Sequence, residues 1–320
     1  MSTTARWTAT RLIDKPIVSA RSDPSIGVNI QGPSPIRVPD WIDEPLGKYY
    51  LYFADHKGSY IRLAYSDRIE GPWTIHVPGS LHLRDSHFPT VPPQPNGEVT
   101  TSTPMKLPHS SHKEYSTPHI ASPDVHIDDD NQRMVMYFHG LESYGRQLSR
   151  VATSKDGIDF DAYPETIGPT YLRAFTYKNE LFAMTMPGQF FHSSDGFKKF
   201  EPGPRLFNSN MRHSALLVEN GTLHVFWTQV YDAPERILVS TIDLNQPFEE
   251  WVETDSYELL RPEREWEGAK EPVEPSIRSV AYGSVCQLRD PAILVDDEQT
   301  YLFYAAGGES CIGVAALSLE

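Results

Sequence analysis

The sequence of 320 residues has few cysteines, no long hydrophobic run and fewer basic than acidic side chains. We interpret Cys286 and Cys311 as free buried thiols rather than a disulfide, which is consistent with a reducing cytoplasm. The formal net charge of −15 argues against a general nucleic-acid or anionic membrane surface, but not against a locally basic pocket. Because the first residues lack the apolar core of a signal peptide and no segment could span a bilayer, we expect a cytoplasmic protein.

Several cofactor motifs are also absent. No glycine-rich loop follows a strand and opens a helix, so nucleotide binding is not indicated. The histidines include no His-x-x-x-His zinc-binding pair on a helix. The acidic run at 128–130 resembles part of a calcium loop but lacks the later glutamate at the required spacing. We therefore interpret this run as a solvated turn between two strands.

One pattern occurs five times along the chain. Each copy is an apolar strand rich in aromatic residues, followed by a short loop and a second strand that ends at a polar turn. The copies span residues 49–67, 134–157, 180–196, 223–243 and 300–317. Repeats of several short strands are typical of β-propellers, whose blades surround a common axis. We therefore predict an all-β, five-bladed propeller formed by a single domain, residues 1–320.

The turns and the chain ends complete the predicted blades. The segments 154–160 and 194–200 are near copies, each with an Asp-Gly pair suited to a tight turn, and 66–73 is a longer version. The chain ends directly after a third strand, so the last blade lacks a fourth. The alternating segment 7–13 can supply it and thereby close the ring.

An innermost strand is expected before each repeat, at 28–38, 120–127, 170–176, 213–218 and 285–294. Two connections, 76–118 and 250–284, are too long for hairpins and lead into such strands. We predict that they form the rim of a pocket, with mobile surface loops as the alternative.

The predicted innermost strands carry polar residues where packing alone would favour apolar ones. In the second blade, alternation places Ser122, Asp124 and His126 on one face. Further candidates near the axis are Gln31, His56, Lys57, His139, Arg173, Arg212, His213, Arg289 and Asp290. Buried charges are costly unless they are paired or meet a ligand, so this ring is either an ion-pair network or a site. We favour a site.

The order of the blades, the Ser-x-Asp-Gly turns and two strand openings resemble the five-bladed propeller glycosidases. The openings read Ser-Pro-Asp-Val-His at 122–126 and Leu-Arg-Asp-Pro-Ala at 288–292. This superfamily includes the arabinanases and xylosidases of glycoside hydrolase family 43 and the invertase-like enzymes. The resemblance covers nearly the whole chain and implies a saccharide substrate, with carboxylates from different blades as acid and as base or nucleophile.

The resemblance also assigns residues. Asp124 matches the axial aspartate of the second blade, and Asp290 matches an Arg-Asp-Pro aspartate. The first blade has Gln31-Gly-Pro-Ser where the family has a base aspartate, and the third has Tyr171-Leu-Arg where an acid glutamate is expected. Glu271 or Glu274, before the fifth blade, could replace that acid. The family further implies a structural divalent cation such as calcium on the axis, which the sequence neither requires nor excludes.

Arginine, lysine and histidine make the proposed axis cationic within an acidic protein. Because arginine binds carboxylate, sulfate or phosphate with two parallel hydrogen bonds, this pattern favours an acidic saccharide such as a uronate. The alternative is that these cations pair with Asp124, Asp290, Glu271 and Glu274.

Three functions remain open from the sequence. The first is a glycoside hydrolase that uses Asp124, Asp290 and one of the two glutamates. The second is a lyase for uronate sugars, in which a histidine or tyrosine takes the proton beside an arginine-bound carboxylate. The third is a non-catalytic, carbohydrate-binding propeller. No nucleic-acid or membrane partner is predicted, and the oligomeric state is not indicated.

Overall fold

The chain folds into five antiparallel sheets in a computed structural model that describes residues 5–95, 107–198 and 200–320. We number the sheets as blades one to five in chain order. From the axis outward, the strands are β3 Gln31–Arg37, β4 Tyr49–Ala54, β5 Tyr60–Ser66 and β6 Thr74–His82; β7 Ile120–Asp128, β8 Arg133–Ser143, β9 Arg146–Ser154 and β10 Asp161–Ala162; β11 Arg173–Tyr177, β12 Glu180–Thr185, β13 Gln189–Ser193 and β14 Phe200–Arg205; β15 Met211–Glu219, β16 Thr222–Gln229, β17 Ile237–Asp243 and β18 Tyr257–Leu260; and β19 Leu288–Asp296, β20 Gln299–Ala306, β21 Cys311–Leu319 and β1 Trp7–Arg11. The short β2, Val18–Ser19, also pairs with β21.

Across the described residues, helical structure is confined to short segments. The α-helix α1 spans Ser111–Ser116, and single 3₁₀ turns cover Pro24–Ile26, Leu83–Asp85, Phe248–Glu250 and Glu265–Glu267. None of the helices in the described part of the chain has the length and hydrophobicity that a membrane crossing requires.

The hydrophobic core is divided into five clusters, each between two neighbouring blades. In β4, Tyr50 and Tyr52 pack against the second blade, whereas Leu51 and Phe53 pack toward the fifth. Because side chains alternate along a strand, a strand buried on both faces must be apolar at successive positions. This requirement explains the aromatic-rich second strands of the repeat and confirms the predicted five-bladed propeller.

The ring is closed by the N-terminal strand, as predicted. β1 pairs antiparallel with β21 over its whole length, from Trp7 opposite Leu319 to Arg11 opposite Ala315. Trp7 is buried between the fourth and fifth blades, and its indole nitrogen donates to His224 at 3.0 Å. Arg11 forms two hydrogen bonds, 2.7 and 2.8 Å long, with the buried Glu267. Closure therefore depends on specific side chains as well as on backbone pairing.

We expect Trp7→Phe to lower the free energy of unfolding by about 1–3 kcal/mol, because the smaller ring leaves a gap and His224 without its donor. Thr8→Ala, at an exposed position of the same strand, is the matched control. Urea unfolding, monitored by far-ultraviolet circular dichroism rather than by tryptophan fluorescence, measures the stability of both variants. Equal stability of the two variants would contradict the proposed contribution of Trp7.

The near-copy turns have the same hydrogen bonds. Ser154 accepts from the amide of Gly157 at 2.8 Å, and Ser193 accepts from that of Gly196 at 3.0 Å. Both glycines have positive φ, 72° and 71°. The repeated Asp-Gly pair thus fixes the same turn in two blades.

The two long connections contribute to the pocket rim. Part of each is regular structure: β6 occupies 74–82 and β18 occupies 257–260. Glu114 and Tyr115 from the first connection, and Arg278 and Ser279 from the second, line the axial cavity. The prediction is confirmed for these segments, while residues 96–106 lie outside the described residues. Both cysteines are buried and unpaired, as expected.

Candidate active site

A cavity of about 600 Å³ lies where the innermost strands begin. Five of the residues singled out in the sequence line it: Gln31, His56, His139, Arg212 and His213. The volume is within the range typical of small-molecule sites, about 300–1,000 Å³. The structure therefore brings residues from the first, second and fourth blades into one cavity.

A β-bulge shapes the start of four innermost strands. The registers of β3, β7, β15 and β19 shift after Gln31, Ala121, Met211 and Arg289, respectively. Bulges re-aim side chains and are frequent beside active sites. The same device thus turns residues from four blades toward the axis.

Three non-glycine residues in this region have left-handed backbone conformations. Ser122, Tyr171 and Asp290 have φ values of 51°, 59° and 47°. Such conformations cost about 1–3 kcal/mol each and persist only where the surrounding structure holds them. Their occurrence around one cavity marks this end of the axis as the functional candidate.

Asp290 is a buried carboxyl group near the cavity whose pKa is raised. Its side chain is 1% exposed, and Oδ1 accepts a hydrogen bond from the Tyr171 hydroxyl at 2.9 Å. Its Oδ2 has no hydrogen-bond partner among the described residues. Burial, followed by the nearby charge of Glu309, raises the pKa of Asp290 to about 6. Asp290 can therefore hold a proton close to neutral pH.

His213 and Tyr171 form the cavity wall beside Asp290. The two rings stack with centroids 4.9 Å apart, and the Asp290 amide donates to His213 Nδ1 at 3.3 Å. Burial, together with the charges of Arg212 and Arg289, lowers the pKa of His213 well below its ordinary value. His213 is therefore a neutral imidazole whose Nε2 carries the proton. Sequence reasoning noted Tyr171 only as the residue in place of an expected glutamate.

Two of the predicted cations are neutralised by buried glutamates. Arg212 binds both carboxylate oxygens of Glu235, with Nε 2.8 Å from Oε1. Arg289 binds Glu309 at 2.6 Å and lies 3.4 Å from Glu235. The axis is therefore not a ring of free cations, and for these two arginines the ion-pair alternative is correct. Their partners are Glu235 and Glu309, not the four carboxylates weighed from the sequence.

The first blade contributes a second charged cluster at the rim. Lys57 lies 3.2 Å from Glu114, which also contacts His109 at 2.6 Å and Ser279 at 2.8 Å. Although burial alone would raise the pKa of Glu114, Lys57 and Ser279 lower it. Glu114 is therefore an ionised carboxylate in the cavity wall. His56 lies beside this cluster, 3.2 Å from Glu309.

Asp124 and His126 lie away from this cavity. They line a smaller cavity of about 210 Å³ together with Arg173, farther along the same innermost strands. The bulge between Ala121 and Asp124 interrupts the alternation of side chains along the strand. Ser122 therefore lines the main cavity and Asp124 the smaller one, so the prediction that they share one face is wrong. His126 Nε2 is 2.7 Å from Asp124, and although burial opposes it, this contact lowers the pKa of Asp124. The two form an ion pair.

Arg173 is buried between the two cavities. It donates to the carbonyl oxygens of Ser214 and Ser122 at 3.3 and 3.2 Å, and its guanidinium lies 3.9 Å from the centre of the Tyr171 ring. It supports the wall of the main cavity from behind.

Glu271 and Glu274 do not reach the axis. Both are exposed, and neither lines the two axial cavities. The prediction that one of them replaces the missing acid is wrong in placement, because their segment runs along the outside before it turns inward at Ser276. Glu114 lines the main cavity instead, and Asp290 lies directly behind its wall, in contact with Tyr171 and His213.

Sequence reasoning missed Glu114, Glu235 and Glu309. Glu235 and Glu309 follow the second strands of the fourth and fifth blades, as His56 follows that of the first. That shared position after the second strand was the available signal.

The donor set does not fit a calcium ion on the axis. Within residues 5–95, 107–198 and 200–320, no three histidine, cysteine, aspartate or glutamate side chains are grouped to hold a metal. Burial and the neighbouring His119 lower the pKa of His139, which lines the cavity, and Arg146, Arg212 and Arg278 line the same cavity. Calcium prefers six to eight oxygen ligands, which these residues do not supply.

A relative of unknown activity resembles the chain along most of its length. The uncharacterised protein R118 of Acanthamoeba polyphaga mimivirus is 32% identical over 317 residues, which cover 91% of this chain and 84% of R118. No model of a known protein family matches the chain.

Solved structures of family 43 glycoside hydrolases share the fold. CoXyl43, a β-xylosidase/α-arabinofuranosidase from a compost metagenome, superposes with a TM-score of 0.58 at 13% identity, over 99% of this chain and 98% of its own. The GH43_1 enzyme from Xanthomonas citri gives 0.57 at 12% identity, over 97% and 91%. The exo-β-1,3-galactanase of Phanerochaete chrysosporium gives 0.57 at 11%, over 98% and 64%. At these identities the likeness shows the fold, and confirms the resemblance that the sequence motifs indicated.

Proposed function

We propose that this chain, which belongs to the same protein family as mimivirus R118, is a glycoside hydrolase-like enzyme that cleaves a saccharide bound in the axial cavity. One observation carries the proposal. Asp290 is a buried carboxyl group with a pKa raised to about 6, and it lies directly behind the wall of a cavity large enough for a small ligand.

The two carboxyl groups of the cavity differ in protonation. Burial raises the pKa of Asp290, whereas Lys57 and Ser279 lower that of Glu114 against the effect of burial. A pair of carboxyl groups with separated pKa values is what acid and base roles require. We assign Asp290 as the proton donor to the leaving oxygen, and Glu114 as the ionised group that stabilises positive charge developing on the sugar.

Tyr171 and His213 connect Asp290 to the substrate. The Asp290 carboxyl group lies behind this wall, so we expect it to act through the Tyr171 hydroxyl group that contacts it. Tyr171 gives its own proton to a saccharide oxygen in the cavity as it takes the proton of Asp290. The stacked rings also exclude water from Asp290, which maintains its raised pKa.

A second candidate, a lyase for uronate sugars, is favoured by one specific observation. Neutral His139 lines the cavity, and its Nδ1 has no hydrogen-bond partner among the described residues. Glu114 already binds Lys57 and His109. A neutral imidazole can take the proton next to a sugar carboxylate without a second free carboxylate. The C–O bond to the leaving sugar then breaks, and the carbon–carbon double bond that forms beside the carboxylate absorbs in the near ultraviolet.

One assay distinguishes the candidates. The protein is incubated with neutral and uronate-containing oligosaccharides, and reducing ends and ultraviolet absorbance are recorded together. We expect reducing ends to appear without absorbance. Absorbance that rises with the reducing ends would establish the lyase instead, and binding by calorimetry without turnover would establish a non-catalytic carbohydrate-binding propeller. The Asp290→Asn protein, prepared in parallel, controls for contaminating enzymes.

A further inference from the structure

The arginines that line the main cavity differ in their partners. Arg146, Arg212 and Arg278 all line it. Arg212 is held by Glu235. Across the described residues, Arg146 and Arg278 have no carboxylate within ion-pair distance. Two cations of the wall are therefore available to a ligand.

Arg278 is the more constrained of the two. It is half-buried, and its Nη2 donates to the carbonyl oxygen of Ser209 at 2.8 Å, which holds the side chain in place. Burial and the nearby charge of Arg212 lower the pKa of Arg278. A half-buried cation beside another cation gains most from an anion that binds next to it.

Arg146 belongs to a different wall of the cavity. It is exposed at the start of β9, directly after Gly145, whose amide donates to the carbonyl oxygen of Tyr115 at 2.8 Å. Tyr115 and Tyr144 pack edge to face nearby, with ring centroids 5.8 Å apart, and both line the cavity. This wall offers aromatic surface for a ligand and one exposed cation beside it.

We propose that Arg278, assisted by Arg146, binds the carboxylate of an acidic saccharide in this cavity. A guanidinium group binds a carboxylate with two parallel hydrogen bonds, which gives both affinity and orientation. The inference rests on the proposed function, since the cavity must accept a saccharide. It assigns the acidic preference to residues other than Arg173, Arg212 and Arg289, which are engaged by carbonyl groups or glutamates.

Direct binding tests the inference without requiring turnover. D-Glucuronate and D-galacturonate are titrated by calorimetry at pH 7.5 and compared with D-glucose and D-galactose. We expect the uronates to bind at least about tenfold more tightly, and Arg278→Gln to remove that advantage while leaving the neutral sugars unchanged. Arg146→Gln is expected to weaken uronate binding by only a few-fold, because the side chain is exposed. Arg264→Gln, at an exposed arginine paired with Asp14, is the matched control.

The outcomes separate this inference from the proposed function. Equal affinity for uronates and neutral sugars, or unchanged uronate binding in Arg278→Gln, overturns the inference, even if neutral glycosides are cleaved. Arg278-dependent uronate binding without any turnover supports the inference and removes the hydrolase proposal. Absence of binding by all four sugars overturns the inference as well.

Discussion

Asp290→Asn is expected to reduce turnover by a factor of about 10² to 10⁴, the usual contribution of a positioned general acid. Asparagine keeps the acceptor for the Tyr171 hydroxyl and tolerates the positive φ of this position, so the fold is retained. The variant loses only the proton that Asp290 carries. Steady-state kinetics on the substrate found in the saccharide assay measure the effect.

Asp124→Asn is the informative comparison. Its carboxylate lines the smaller cavity and pairs with His126, so we expect a much smaller loss of turnover. If Asp124→Asn were the more damaging change, the reaction would take place at the other cavity and the assignment of Asp290 would be wrong.

The pH profile gives an independent readout. Because Asp290 acts in its protonated form, kcat/KM is expected to fall as pH rises through about 6, and this decline should be absent in Asp290→Asn.

The free energy of unfolding depends on the same titration of Asp290. The folded-state pKa is raised, so the contribution of Asp290 is most favourable below about pH 4 and is lost as pH rises through about 6. The variant should therefore gain stability relative to the native protein between pH 4 and 8, on the order of 3 kcal/mol.

Glu309→Gln is expected to lower the free energy of unfolding by about 3–5 kcal/mol. The buried carboxylate of Glu309 binds Arg289 at 2.6 Å, His56 at 3.2 Å and Asn29 at 2.8 Å. Its removal leaves the buried Arg289 with Glu235 as its remaining anionic neighbour. Denaturant unfolding at pH 7 measures the loss, and Glu265→Gln, in an exposed pair with Lys270, is a control that should show no measurable change.

The pH dependence of this loss of stability tests whether charge or packing causes it. Burial opposes ionisation of Glu309, but His56 and Arg289 lower its pKa to about 2. Its stabilising contribution is therefore complete above about pH 4.5 and is lost as pH falls through about 2. The difference between native protein and variant should be smaller at pH 3.5 than at pH 7. A difference that stays constant would attribute the effect to packing rather than to charge.

The fold was predictable because its determinants are local and repeated. Continuous apolar, aromatic-rich runs define each second strand, Asp-Gly pairs define the turns at 156–157 and 195–196, and the unpaired last blade predicts closure by β1. The strand and turn signals lie within a few residues along the chain, whereas closure pairs its two ends. Boundaries differed mainly at the innermost strands, where the bulges begin.

The site was predictable only in part. Gln31, His56, His139, Arg212 and His213 were identified from polar residues at the expected positions, and all line the cavity. The pairing of Arg289 with Glu309 could not be predicted, because only tertiary packing brings the loop that carries Glu309 back to the axis. Asp124 was misplaced because a bulge of one extra residue reverses the face of every residue after it.

The left-handed residues around the axis limit how this protein can be re-engineered. Branched side chains are strongly disfavoured at Ser122 and Asp290, whose backbones have φ near +50°. A library at these two positions would yield mostly misfolded variants, apart from glycine, asparagine and similar small polar residues. Diversity aimed at new ligand preferences is better introduced at Gln31, His139 and Arg278, whose φ angles are not positive and whose side chains border the same cavity.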